Sequence, residues 1–334
     1  MEPTLRRPAW RGPVRRRGRD DGAVARVTVV GGGVVGLTSA LGLAEAGHDV
    51  HCVRDVPAAG TVSAVAGGLW FPYHVEPRDR VVAWGLVALE RFTGLVADPT
   101  AGVALREGLL VERHGPDRWW TEGVRTWREA TADELPDGAT SGVVARLPLV
   151  AMPVHLDWLE KRCVAAGVEL ETGRVDDLDE LEDDVVVLCA GLRAAELLPG
   201  VDVTPSRGQV ALLANPGIDR WLVDDDFAGG MTYVLPHPGW VVCGGTDVPD
   251  ASDEPDPAVH AAIVERCRAA VPALREAEVL GSRVGLRPVA AAVDLRVHER
   301  HGRPVVTNVG HGGAGVTLSW GCAAEVVRLV DALA

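Results

Sequence analysis

The sequence has little positive charge to offer a polyanion. Residues 1–19 hold seven arginines and one glutamate, so a net charge of −14 for the whole chain leaves −20 on the remainder. A body this acidic repels phosphate backbones, which argues against nucleic acid as a partner.

The cysteines and histidines lack the spacings of disulfide frameworks and metal centres. None of the six cysteines forms a C-x-x-C pair, and most lie in apolar runs, which predicts reduced thiols in a cytoplasmic protein. His298 and His301 come nearest to a metal pair, but the pattern places them at a strand end and turn. We therefore predict no metal site.

An uninterrupted apolar segment is also missing. Residues 27–44 carry no charge, yet five glycines interrupt them, and Asp20 and Asp21 separate them from the Arg-rich start. We predict neither an export signal nor a membrane segment. Residues 1–23 are expected to be a disordered, Arg-rich head.

The five glycines have a spacing of their own. The strand-like run 26–30 ends in Gly31-x-Gly33-x-x-Gly36, followed by a helical stretch over 34–46 and a second strand over 49–53. Such a loop lets a pyrophosphate approach the backbone at a helix N-terminus. This order of elements predicts a dinucleotide site.

The tip of the second strand does not settle which dinucleotide binds. The position usual for a ribose-binding acid holds Val53, and Arg54 and Asp55 follow. Three interpretations stay open here. Asp55 reaches the ribose, Arg54 contacts the adenylate, or the two are ordinary exposed charges after a strand.

Several further motifs occur in a characteristic order. They are A-G-G-L-W-F-P-Y (66–73), R-G-Q-V (207–210), M-T-Y-V-L-P (231–236), G-G-T (244–246), G-L-R-P-V (285–289) and N-V-G-H-G-G-A-G-V-T (308–317). In this order they resemble the D-amino-acid oxidase and D-aspartate oxidase family of FAD enzymes, from about residue 27 to 333.

The resemblance implies an α/β fold with two domains, which also suits a chain of 334 residues. Segments 24–78, 150–205 and 282–334 would form an FAD-binding, Rossmann-like, doubly wound sheet. Segments 79–149 and 206–281 would form an interleaved α+β substrate domain of mostly antiparallel strands. A homodimer is left open.

The resemblance also implies the reaction. A D-amino acid loses hydride from its α-carbon to N5 of non-covalent FAD, dioxygen reoxidises the flavin to give hydrogen peroxide, and the imino acid hydrolyses. No side chain acts as acid or base, because orientation suffices. Arg287 and Tyr233 would bind the substrate carboxylate, and the Gly313 carbonyl would accept from the amine.

The same resemblance assigns the cofactor contacts. The N-terminus of a helix predicted over 316–333 would face the flavin, and Gly67, Gly68 and Leu69 would line its ring. Val175 would meet the adenine. The full expected set is Gly31, Gly33, Val34, Val35, Gly36, Arg54, Asp55, Ser63, Gly67, Gly68, Leu69, Val175, Gly191, Arg287, Gly312, Gly313, Gly315, Val316 and Thr317.

Departures from the family pattern bear on the substrate. Thr307 and Val309 differ from its C-terminal signature, and the short segment 227–230 lacks the tyrosine of the vertebrate lid. Asp247 follows the G-G-T motif, and residues 224–226, expected to form a solvated loop, hold three aspartates where D-aspartate oxidases place arginine. We therefore expect neutral or basic D-amino acids to be preferred over D-aspartate.

Three other interpretations stay open at this point. A glycine or sarcosine oxidase would share the glycine loop, and Gly229 and Gly230 would suit a small substrate. A non-catalytic FAD sensor would not need Arg287, Tyr233 and Gly313 together. An NAD-dependent dehydrogenase follows from the loop alone and leaves the C-terminal motif unexplained.

Overall fold

The computed structural model describes residues 24–228 and 230–334. The Arg-rich head expected over 1–23 and the small-substrate role considered for Gly229 lie outside these residues. Within them the chain forms a mixed α/β fold, as predicted.

One sheet of thirteen strands runs through the described part of the chain. Its spatial order is β4-β5-β3-β9-β10-β11-β8-β12-β13-β7-β1-β2-β6. The strands are β1 (Arg26–Val30), β2 (Asp49–Arg54), β3 (Val103–Glu112), β4 (Trp127–Glu129), β5 (Ser141–Val150), β6 (Glu169–Thr172), β7 (Val185–Leu188), β8 (Thr204–Ala214), β9 (Trp221–Phe227), β10 (Gly230–Pro236), β11 (Trp240–Gly244), β12 (Val279–Arg300) and β13 (Arg303–His311).

Helices cover the sheet. They are α1 (Val34–Ala46), α2 (Arg78–Leu95), α3 (Met152–Ala165), α4 (Ala194–Leu197), α5 (Pro257–Ala270) and α6 (Gly315–Asp331). The bounds predicted for β1 and α1 are confirmed. The second strand runs one residue further than predicted, and α6 lies one residue earlier at its start and two at its end than the stretch predicted from the sequence.

Strands β6, β2, β1, β7 and β13 form a parallel block. From β1 the chain builds outward through β2 and β6 on one side, and later adds β7 and β13 on the other. The order therefore reverses between β1 and β7. In open α/β sheets such a reversal leaves a crevice at the carboxyl ends of the two strands, where ligands bind.

The remaining strands are mostly antiparallel, with β3 and β9 as a parallel pair. The long strand β12 joins the two blocks. Its first half pairs with β8 and its second half with β13, and Val289 pairs with both. Arg287 lies two residues before this changeover. The division into two interleaved domains stays a prediction.

The aspartates at 224–226 correct one expectation. They lie in strand β9 and not in a solvated loop. Asp224 is buried, and its two carboxylate oxygens accept hydrogen bonds from Arg113 at 2.7 and 2.8 Å. The flanking residues Trp221 and Val223 are buried in the core, which makes the segment a strand despite its charges.

The cysteines agree with the sequence prediction, since all six are buried and unpaired. His298 lies near the end of β12 and His301 in the turn after it, where the ring of His301 contacts the Asp179 carboxylate at 3.0 Å. Within residues 24–228 and 230–334, no cluster of three or more ligating side chains could hold a metal ion. None of the helices described there has the length and hydropathy to span a membrane.

The backbones of α2 and α6 are in close contact at Gly321, and a substitution there is predicted to destabilise the fold. A Cβ at Gly321 would overlap the Trp84 backbone, so we expect Gly321→Ala to lower the free energy of unfolding by about 1–3 kcal/mol. Gly94→Ala is the control, because its Cβ would meet no atom within 4 Å and alanine favours a helix. Denaturant unfolding of both variants checks this, and equal stabilities would contradict it.

Candidate active site

A cavity of about 370 Å³ opens at the carboxyl ends of β1 and β7, where the strand order reverses. Its wall combines the glycine loop after β1, the turn after β7 and the start of α6. Of the residues expected to contact a cofactor, those lining it are Gly31, Gly33, Val34, Val35, Asp55, Ser63, Gly191, Arg287, Gly312, Gly313, Gly315 and Val316.

The glycine loop fits a phosphate group. Gly31 has a φ of +126°, and a Cβ there would overlap the Cys189 carbonyl. A Cβ at Gly36 would overlap the Gly31 carbonyl, so Gly36 serves the packing of α1 on the loop. No side chain caps α1 and no acid lies in its first turn, although the Val34 N–H donates to Ser63 Oγ at 3.0 Å. A helix start of this kind favours an anion.

The two charged residues at the end of β2 have different environments. Arg54 pairs with Glu160 and does not line the cavity. Asp55 does line it, within 3.1 Å of Arg193 Nη1. Of the two, Asp55 is therefore the residue that borders the space open to a ligand.

Arg193 is a cavity residue that the sequence interpretation missed. Its Nη2 donates to the Val175 carbonyl at 2.8 Å, and Val175 itself lies outside the cavity lining. The signal available in the sequence was the G-L-R run directly after a buried strand.

At the far end of the cavity, the C-terminal motif turns from β13 into α6. The Thr317 hydroxyl donates to the Phe71 carbonyl at 2.9 Å and accepts from the Phe71 N–H at 3.0 Å, so it fixes that segment and does not line the cavity. The start of α6 has no side-chain cap and no acid in its first turn.

Two polar residues missed by the sequence interpretation, Asn308 and His311, also line this end. Asn308 Oδ1 and His311 Nε2 are buried without a hydrogen-bond partner among the described residues. Burial lowers the pKa of His311 to about 4, so its ring is neutral at physiological pH. Buried polar atoms without partners are costly, and a polar ligand in this cavity would relieve that cost.

A second, smaller space of about 130 Å³ adjoins the first, and we call it the chamber. Ala66, Arg287, Gly313 and Val316 line both cavities. Gly67, Gly68, Leu69 and Tyr233 line the chamber alone of the two. The expected carboxylate clamp and amine acceptor therefore lie at the junction of the two spaces.

Strand β12 carries Arg287 to this junction, and Gly208 on the neighbouring strand β8 leaves room for its guanidinium. A Cβ at Gly208 would come within 2.5 Å of Arg287 Cζ. Arg287 Nη1 donates to the Thr246 carbonyl at 2.8 Å and lies 3.5 Å from Asp247 Oδ1. The Tyr233 hydroxyl lies beside the guanidinium, and among the described residues no carbonyl or carboxylate engages Nε or Nη2, so those N–H groups can meet a carboxylate.

The ring of Tyr233, on β10, lies over Gly244 and Gly245, whose missing side chains make the space for it. Burial raises the pKa of the Tyr233 phenol, while the Arg287 guanidinium opposes part of that rise. The phenol therefore keeps its proton at neutral pH and can donate it in a hydrogen bond.

A backbone turn at Gly68 shapes the chamber wall. Gly68 has a φ of +83°, and a Cβ there would overlap the Val150 carbonyl. His237 Nε2 donates to the Gly67 carbonyl at 3.0 Å, and burial lowers the pKa of His237 to about 4. Trp70 is buried, and its indole N–H donates to the Gly85 carbonyl at 3.0 Å.

The chamber's outer wall consists of Phe71, Tyr73 and Asp225, which also line a third cavity of about 390 Å³. Asp247, which the sequence suggested as the group repelling an acidic substrate, does not line the chamber. It accepts a hydrogen bond from Ser206 behind Arg287. Tyr73 and Asp225 were missed as site residues, although Tyr73 is one of only two tyrosines.

Comparison with known proteins agrees with this architecture. A family model described as FAD dependent oxidoreductase matches residues 26–329. A D-amino-acid oxidase of Rubrobacter xylanophilus is 45% identical over 95% of this chain and 98% of its own length. One from Streptomyces coelicolor is 48% identical over 93% and 98%.

Among solved structures, glycine oxidase from Bacillus cereus superposes with a TM-score of 0.77 at 20% identity, covering 92% of this chain and 95% of its own. At that identity the likeness concerns the fold alone. The two relatives and the family model together identify the group: the chain belongs to the D-amino-acid oxidase family of FAD-dependent oxidoreductases.

Proposed function

We propose that this protein catalyses the oxidative deamination of D-amino acids with neutral or basic side chains. The substrate loses a hydride and a proton to become an imino acid, which water hydrolyses to a 2-oxo acid and ammonia. The carrying observation is that Arg287, Tyr233 and Gly313 all line the chamber, and that Arg287 and Gly313 also line the first cavity.

FAD fits the first cavity, of about 370 Å³. The uncapped start of α1 would hold the pyrophosphate, Asp55 the ribose, and the segment 312–316 the ring end. When bound, FAD accepts the hydride and delivers the two electrons to dioxygen, which becomes hydrogen peroxide. The positive end of α6 favours negative charge on a group beside it.

The side chains of the chamber bind and orient the substrate. Arg287 offers Nε and Nη2 to the carboxylate, and the protonated Tyr233 phenol donates to the same group. The Gly313 carbonyl accepts from the amine. A carboxylate and an amine held at three points leave the α-carbon in one orientation, which is the main requirement for hydride loss.

The rest of the chamber selects the side chain. Leu69, Phe71, Val223, Met231 and Leu235 give it an apolar wall. Asp225 is the carboxylate that faces this space, and a second carboxylate placed beside it would be repelled. This arrangement favours neutral and basic side chains and disfavours D-aspartate. It also favours a substrate with a side chain over glycine or sarcosine.

The domain division belongs to the same proposal. Segments 24–78, 150–205 and 282–334 contribute the parallel block and form the FAD-binding domain, and 79–149 and 206–281 form the substrate domain. We place the enzyme in the cytoplasm, which is supported by six buried, unpaired cysteines.

The overall test is a substrate panel. The purified protein is expected to show a flavin spectrum and to form peroxide with D-alanine and D-methionine but not with their L-enantiomers. D-aspartate is expected to have a kcat/KM at least about tenfold lower than D-methionine, because of Asp225. Glycine or sarcosine as the best substrate, or colour without turnover, would contradict the proposal.

Loss of the carboxylate clamp gives a sharper test. Arg287→Leu is expected to lower kcat/KM on D-methionine, because a charge-assisted pair is removed. The expected decrease corresponds to a loss of about 2–5 kcal/mol in transition-state stabilisation. Arg283→Leu is the matched control, since Arg283 is exposed on the same strand and lines none of the three cavities. Equal effects of the two substitutions would sink the assignment of Arg287.

The second clamp is tested by Tyr233→Phe. Removing a hydroxyl that donates to a carboxylate is expected to cost about 1.5–3 kcal/mol in kcat/KM. Steady-state kinetics measures this, with flavin content and unfolding free energy as checks on the fold. Kinetics within twofold of the parent would show that the hydroxyl does not bind substrate.

A further inference from the structure

The three cavities lie in a row, and the chamber is the middle one. Its inner boundary, shared with the first cavity, includes Arg287 and Gly313. Its outer boundary, shared with the third cavity, is Phe71, Tyr73 and Asp225. A substrate whose carboxylate binds Arg287 at the inner boundary would have space for its side chain toward the outer boundary.

The alternation of strand β9 aims Asp225 at this space. Val223 and Asp225 both line the chamber, as residues two apart on a strand share one face. Tyr73 lies beside Asp225 at the outer boundary. Burial raises the pKa of its phenol, the Asp247 and Asp225 carboxylates add to the rise, and Arg287 opposes it.

Asp225 differs from its neighbours in having no bonded partner. Asp224 pairs with Arg113 at 2.7 Å and Asp226 with His114 at 2.9 Å. Across residues 24–228 and 230–334, the side chain of Asp225 makes no hydrogen bond or ion pair. The residue is exposed toward the cavities, and the groups around it raise the pKa of its carboxyl, with Asp224 adding to the rise and His74 opposing it. A carboxylate that lines a cavity and has no partner gains from a cationic ligand.

We propose that Asp225 binds the ammonium or guanidinium group of a basic D-amino acid and makes the enzyme selective for such substrates. The inference rests on the proposed function and adds a specificity-determining residue to it. The third cavity, beyond Asp225, gives room for a side chain longer than the chamber.

The test compares two substrates of nearly equal length, D-lysine and D-norleucine, on the FAD-loaded enzyme. Asp225→Asn is expected to lower the ratio of their kcat/KM values, D-lysine over D-norleucine, at least about tenfold, mainly through the KM of D-lysine. Asp219→Asn is the control, because Asp219 is exposed and lines none of the three cavities. It is expected to leave the ratio within about twofold.

A binding measurement separates recognition from turnover. 6-Aminohexanoate carries the carboxylate and the terminal ammonium of lysine without the α-amine. Hexanoate carries the same carboxylate but lacks the ammonium group. In the parent, we expect 6-aminohexanoate to perturb the flavin absorbance at a lower concentration than hexanoate. Asp225→Asn should remove that difference, and Asp225→Arg should raise the kcat/KM of D-glutamate relative to D-lysine.

The outcomes distinguish a failure of the proposed function from a failure of the role proposed for Asp225. If no D-amino acid is oxidised, the proposed function fails and this inference falls with it. If D-norleucine is oxidised but Asp225→Asn leaves the substrate ratio and the ligand difference unchanged, only the role of Asp225 is overturned. The same holds if Asp219→Asn shifts the ratio as far as Asp225→Asn does.

Discussion

The active site depends on backbone segments that approach their neighbours closely. Glycines make this possible because they carry no side chain. A Cβ at Gly31 or Gly36 would overlap the backbone around the phosphate loop, and one at Gly68 would overlap the Val150 carbonyl. Gly208 and Gly244 leave the volumes that the Arg287 guanidinium and the Tyr233 ring occupy. Both clamps are therefore positioned by neighbouring strands, and their geometry depends on the packing of β8 and β11.

Local elements could be predicted from the sequence because local rules determine them. The β1-α1-β2 unit follows from β-branched residues, glycine spacing and a helix stopped at Gly47, all within thirty residues. Asp225 and Arg193 could not be found in this way, because their roles depend on pairing and cavities formed by distant segments. Three adjacent aspartates are typical of a loop, and only the burial of Trp221 and Val223 explains why they lie in a strand.

Electrostatics in the site is local. The body of the protein carries a large negative charge, yet the proposed carboxylate clamp depends on the single guanidinium of Arg287. Most of the surrounding carboxylates are already neutralised in pairs, such as Asp224 with Arg113 and Glu112 with Arg118. The field that a substrate meets therefore comes from the few groups left unpaired, and not from the net charge.

Strand β12 has a consequence for how substrate enters. Its 22 residues are hydrogen-bonded to β8 along one half and to β13 along the other, and Arg287 lies beside the changeover. A continuous strand of this kind ties Arg287 to both blocks of the sheet. The opposite boundary of the chamber, at Tyr73 and Phe71, belongs to no strand and adjoins the third cavity, so it is the side by which substrate and product would be exchanged.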